Sequence, residues 1–110
     1  MSFANCGLED ESLIYFVEKA FKINIPQEIN LSKNKLSLSG FVKLIPYLLK
    51  VKTANLTGTG LADGCLDPLL KIKGNRALEE INLLENNISL HKNKQKIQLL
   101  KQTGLTVICQ

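Results

Sequence analysis

Apolar residues in the stretch "INLSKNKLSLSG", 29 to 40, follow neither a helix nor a strand period throughout. Ile29 and Leu31 alternate as in a strand with one buried face, and then a polar residue, Asn34, stands before Leu36. The pattern Leu31-x-x-Asn34-x-Leu36 recurs roughly every 24–28 residues along the chain. Upstream it is Phe3, Cys6 and Leu8; downstream it is Leu56, Thr59 and Leu61, then Leu83, Asn86 and Ile88. "LTVICQ" closes the series, with Leu105 and Val107 aligned on Ile81 and Leu83. Four copies and a closing strand are therefore expected, in one domain spanning residues 1–110.

Between the copies the apolar period changes to that of a helix. Leu13, Phe16, Val17, Ala20 and Phe21 share one helical face, with Asp10 and Glu11 placed where a helix start favours negative charge. Phe41, Leu44, Ile45, Leu48 and Leu49 make a second such face, opened by Ser37 or Ser39 and shortened or kinked at Pro46. A shorter return covers Cys65 to Ile72, and the last runs from Lys94 to Lys101, burying Ile97 with Leu99 or Leu100.

This alternation resembles the leucine-rich-repeat family, in its ribonuclease-inhibitor-like class, whose repeats read L-x-x-L-x-L-x-x-N/C-x-L. "LSKNKLSLSG" and "FANCGLEDES" carry the match, including the exchange of Asn for Cys at one position. The resemblance implies an α/β solenoid, a short curved arc with a parallel sheet on its concave face and helices on its convex face. On that arch Cys6, Asn34, Thr59 and Asn86 follow the strands, where backbone groups lose their ladder partners. A side chain that bonds them there spares a desolvation cost of about 1–3 kcal/mol per group.

Strand alternation sends the residues between the buried leucines to the concave surface. Ser2, Asn30, Asn55, Asn82 and Thr106 are expected in one row, and Ala4, Ser32, Thr57, Leu84 and Ile108 in the next. Asn5, Lys33, Gly58, Glu85 and Cys109 make a third, and Glu28, Thr53 and Glu80 line the other margin. The asparagine row reads equally as a ladder of amides bonded to one another or as a polar strip open to a partner. Leu84 and Ile108, large and apolar on a solvent-facing sheet, mark a contact surface.

Chemistry is sparse. His91, the single histidine, is flanked by lysine and has no Cys or carboxylate at ligand spacing. No nucleophile elbow, phosphate-cradling loop or carboxylate pair stands out, and the glycines of "LTGTGL" suit an arch turn. The reading is of a non-enzymatic module, without cofactor or metal, that binds a partner protein through Asn30, Ser32, Asn55, Thr57, Asn82, Leu84, Thr106 and Ile108. Arg76 carries the catalytic rival, because related repeats occur in GTPase-activating proteins.

Composition then changes the picture. The formal charge of +4 is lysine-dominated, with Arg76 the one arginine, which argues against nucleic acid. Lys71, Lys73, Arg76, Lys92, Lys94 and Lys96 could still form a basic stripe for nucleic acid or an anionic membrane. Cys6, Cys65 and Cys109 are odd in number, widely spaced and expected to be reduced. No apolar run has the length of a membrane span and no secretion signal is evident, so a soluble protein is expected. A short repeat arc rich in Lys, Asn and Ile is also similar to the small leucine-rich-repeat effectors of intracellular bacteria. That similarity implies a host protein as partner and a place in the cytoplasm, the cell's own or the host's. Finally, the apolar, β-branched edge from Leu105 to Cys109 predicts a homodimer by antiparallel strand pairing.

Overall fold

A computed structural model describes residues 1–72 and 76–109. The elements alternate: α1 (Asp10–Ile23), β1 (Glu28–Asn30), α2 (Leu38–Leu48), β2 (Thr53–Asn55), α3 (Leu66–Leu70), β3 (Glu80–Asn82), α4 (Lys94–Gln102) and β4 (Thr106–Ile108). A 3-10 turn, Asp63–Cys65, leads into α3. The strands form one parallel sheet in chain order. Parallel neighbours need a crossover between them, and α2, α3 and α4 supply the three. The fold is α/β.

The helices form where the apolar period places them. In α1, Asp10 and Glu11 occupy the first turn and Lys22 the last, so side-chain charge opposes the macrodipole at both ends. Ser37 caps α2 by accepting from the Gly40 N–H at 3.1 Å. Pro46 costs α2 one internal bond, yet the helix continues to Leu48, and the Leu49 N–H still reaches the Ile45 carbonyl at 3.0 Å. In α4, Ile97 and Leu100 are buried while Leu99 stays exposed.

One core lies between the sheet and the helices. Ile29, Ala54, Ile81 and Val107 stand side by side in the strands, and Leu31, Leu56, Leu83 and Cys109 follow each strand into the interior. Leu13, Phe41, Leu44, Leu66 and Leu100 meet them from the helices. Full burial of each large side chain contributes about 1.5–3 kcal/mol, which strands of three residues could not supply by backbone pairing alone.

Two expectations about the sheet change. The first copy makes only an isolated parallel bridge, Ser2 to Asn30, in place of a strand. The last strand sits two residues from its expected register: Thr106 pairs with Glu80, Val107 with Ile81 and Ile108 with Asn82. A shift of two keeps Thr106, Val107 and Ile108 on their own faces, so alternation within the strand cannot tell the two registers apart. Consequently Ile108 stands in the asparagine row rather than beside Leu84, and Thr106 joins Glu28, Thr53 and Glu80. Cys109 leaves the row of Lys33, Gly58 and Glu85 for the core.

Candidate functional site

The open face of the sheet, opposite the helices, brings the expected residues together, with changes in what each can do. Asn30, Asn55 and Asn82 lie in one row across three strands. They do not form an amide ladder. Each Oδ1 turns back to its own chain and accepts the N–H two residues on, from Ser32, Thr57 and Leu84, at 3.0 Å in all three. The Ser32 and Thr57 hydroxyls add second bonds at 2.6 Å to Asn30 and Asn55. The Thr57 hydroxyl also lies 3.1 Å from the Asn82 Oδ1, the one cross-strand link in this row. These are side-chain-to-backbone turns, the bonding for which asparagine competes with the strand ladder.

The turns bend the chain off the sheet. Asn5, Lys33, Gly58 and Glu85 follow them with φ of 53°, 61°, 64° and 57°. Three of the four are not glycine and carry a cost of roughly 1–2 kcal/mol for the left-handed backbone. Glycine at position 58 has a further use: a Cβ there would lie 3.1 Å from the Lys33 Cδ. Across that gap the Lys33 Nζ reaches the Glu85 carboxylate at 2.9 Å, spanning two strand intervals.

Ser32 is a correction. It is buried and its hydroxyl is committed to Asn30, so it offers a partner nothing. Leu84 and Ile108 are half-buried rather than bare, while Thr106 is exposed and Thr57 partly so. Along the other margin Glu28, Thr53 and Glu80 complete a shallow cavity of about 260 Å³ with the three asparagines.

The expected structural asparagines are seated as the pattern demanded. Asn34 accepts from the Cys6 and Leu8 N–H groups at 3.2 and 2.9 Å, and its Nδ2 donates to the Phe3 and Leu31 carbonyls at 2.7 and 3.2 Å. Asn86 does the same one unit pair later, accepting from Thr59 and Leu61 and donating to Leu56 and Leu83. The Thr59 hydroxyl donates to the Leu56 carbonyl of its own unit and lies 3.2 Å from the Asn86 Oδ1. Cys6 is exposed and reaches the Ala4 carbonyl.

The other candidates are accounted for singly. Arg76 is half-buried and tied to backbone: its Nε donates to the Leu78 carbonyl and its Nη2 to that of Thr103, each at 2.9 Å. Thr103 is the C-cap of α4, so the guanidinium also meets the negative end of that helix. The basic stripe is interrupted by the Lys96–Asp67 ion pair at 2.8 Å, and Lys73 lies outside the described residues. His91 is exposed, and among the described residues no cluster of His, Cys, Asp and Glu could hold a metal. No helix among the described residues is long and apolar enough to cross a membrane.

Two features went unread in the sequence. Asp10 accepts the Ser37 N–H at 2.8 Å and the Ser37 hydroxyl, joining the first turn of α1 to the cap of α2. Asp63 likewise accepts the Ser89 N–H at 2.7 Å and the Asn93 Nδ2 at 2.8 Å. The signal was available: "EINLSKNKLSL", 28 to 38, returns as "EINLLENNISL", 80 to 90, with Glu, Ile, Asn, Leu, Asn, Ser and Leu in common. The better period is the pair of units.

The cysteines give a direct check. Burial, reinforced by Asp63, pushes the Cys65 thiol up to about 12, and burial raises Cys109. Thiolate is the reactive form, so one thiol per folded chain, Cys6, should react with a disulfide reagent at pH 8. The other two should appear only in denaturant. Three fast thiols in the native protein would contradict the burial of Cys65 and Cys109. Compared with known proteins, the chain matches no family model and no curated sequence.

Proposed function

We propose that the chain is a leucine-rich-repeat solenoid whose open sheet face binds a partner protein without catalysis. The observation that carries this reading is the array of Asn30, Asn55, Thr57, Asn82, Leu84, Thr106 and Ile108 on one ordered sheet face, with Leu84 and Ile108 left partly uncovered. Partly exposed apolar side chains beside an oriented polar row are what an interface uses as anchors and rim. A host protein is the partner implied by the similarity to bacterial effectors. Pairing of two copies along Thr106–Ile108 belongs to the same reading, as the sheet's terminal strand.

Leu84→Asp is the test. Its side chain lies off the core, so far-ultraviolet circular dichroism should be unchanged and the melting temperature should move by only a few degrees. Association, with a partner or between copies in sedimentation, should weaken at least tenfold, since a buried carboxylate at an interface lacks a counter-charge. Unfolding as severe as that of Leu83→Ala, or association unaltered, would remove the open face from consideration.

Two rivals are weaker on specific grounds. A regulator of GTP hydrolysis would need Arg76 to give up both carbonyls that it holds. A binder of nucleic acid or anionic lipid would rely on a stripe in which Lys96 is already neutralised by Asp67.

A further inference from the structure

The charge on the open face runs against that of the chain. The protein carries a net +4, yet the margin of the asparagine row is acidic. Glu79 pairs with Lys52 at 3.6 Å and Glu85 with Lys33 at 2.9 Å. Among the described residues, Glu28 and Glu80 carry no ion pair. They occupy equivalent positions two strands apart, flanking Thr53, so their backbones are separated by about 9–10 Å. The chain's own Met1 ammonium already rests at this margin, 3.3 Å from the Glu28 carbonyl.

The neighbouring row has the opposite hydrogen-bonding sense. Because the Oδ1 atoms of Asn30, Asn55 and Asn82 are turned inward to N–H groups, the amides have only their Nδ2 donors left to offer. Among the described residues none of those three donors has a partner. The two rows border the same 260 Å³ cavity. A ligand fitting both must present acceptors to the asparagines and a cation to the glutamates, about 7 Å away along the strands.

We propose that this face binds an extended polypeptide segment through an arginine seated over Thr53, between Glu28 and Glu80, with the segment's carbonyls on the asparagine Nδ2 groups. Arginine fits better than lysine because its planar fork presents donors in two directions and can meet two carboxylates at once. An ammonium is a point charge that reaches one of them. The inference rests on the open face being the working surface, and names what it recognises there.

The test titrates the isotope-labelled protein with the blocked peptide acetyl-Gly-Ser-Arg-Ser-Gly-amide at low salt. Its citrulline analogue keeps the shape and removes the charge, and arginine amide removes the run of carbonyls. Amide shifts at Thr53 and Glu80 and the side-chain NH2 signals of Asn30, Asn55 and Asn82 should move with the arginine peptide. Binding should fall at least tenfold for citrulline and for the Glu28→Gln/Glu80→Gln double variant, and severalfold for arginine amide. Both glutamates lie outside the core, so that variant keeps its spectrum of folded amides. An arginine peptide that leaves Thr53 unmoved, or that binds the double variant equally well, overturns the proposal. If that happens while Leu84→Asp still abolishes association, the open face stands and only the arginine is wrong. If both variants are silent, the face itself is not the binding surface.

Discussion

Asn34→Ala should be the most damaging single polar substitution in this protein, lowering stability by about 3–5 kcal/mol. The side chain is almost fully buried and satisfies two N–H groups and two carbonyls drawn from two stretches of chain, residues 3–8 and its own turn after Leu31. Alanine leaves those groups facing apolar neighbours with no substitute donor or acceptor. Each orphaned group costs about 1–3 kcal/mol, reduced where the turn can admit water. A domain of this size holds only about 5–15 kcal/mol in total, and the loss should lower the melting temperature by about 12–20 °C. Asn30→Ala gives the internal comparison. It removes the bonds from the Ser32 N–H and hydroxyl, both to one oxygen at the edge of solvent, and should cost about 1–2 kcal/mol. Equal losses for the two variants, measured by chemical denaturation, would mean that Asn34 is not the joint described.

Gly40→Ala should destabilise, although alanine is the better helix former by about 1 kcal/mol. Gly40 lies in the first turn of α2, and a Cβ there would fall on the Asp10 carboxyl group. To make room, Asp10 must leave the Ser37 N–H that it accepts at 2.8 Å, together with the Ser37 hydroxyl. Losing a charge-assisted bond and the order of the cap outweighs the propensity gain, for a net loss of about 1–2 kcal/mol. In an Asp10→Ala background the obstacle is gone, so the same substitution should become stabilising by up to about 1 kcal/mol. The reversal of sign in a double-mutant cycle is the diagnostic. A Gly40→Ala variant that is more stable than the parent with Asp10 in place would refute the contact.

The two substitutions probe one arrangement. Asn34 and Asp10 join the first unit to the second, and Asn86 and Asp63 join the third to the fourth. Between the second and third units, the described residues show backbone bonds such as Leu36 N–H to the Thr59 carbonyl, and the Lys33–Glu85 pair passing above. Thr59, too short to reach across, stands where the other joints have asparagine. The molecule is therefore stitched most firmly in pairs, matching the repeated "EIN" segments.

Much of this was legible in the chain. Leucine spacing placed the strands and helices because burial of an aliphatic face requires a fixed period, 2.0 or 3.6, whatever the neighbours are. Asn34 and Asn86 announced themselves as polar residues at a leucine-lined turn, where their amides bond backbone groups that lack ladder partners. The identity of the open-face positions also followed from alternation, and Asn30, Asn55, Asn82 and Leu84 are on that face. What alternation could not supply was register, since a slide of two residues leaves the faces within the strand unchanged. Only the stacked sheet put Ile108 beside Asn82 and Thr106 beside Glu80. Direction of hydrogen bonding was equally hidden. An asparagine in a row can bond its neighbour or its own chain, and the turn after each strand decided for the latter. Asp10 meeting Ser37, Gly40 yielding to Asp10, and Arg76 held by Thr103 are contacts between residues in different units. A local pattern determines which face a residue occupies; which distant partner it meets there depends on how the units stack.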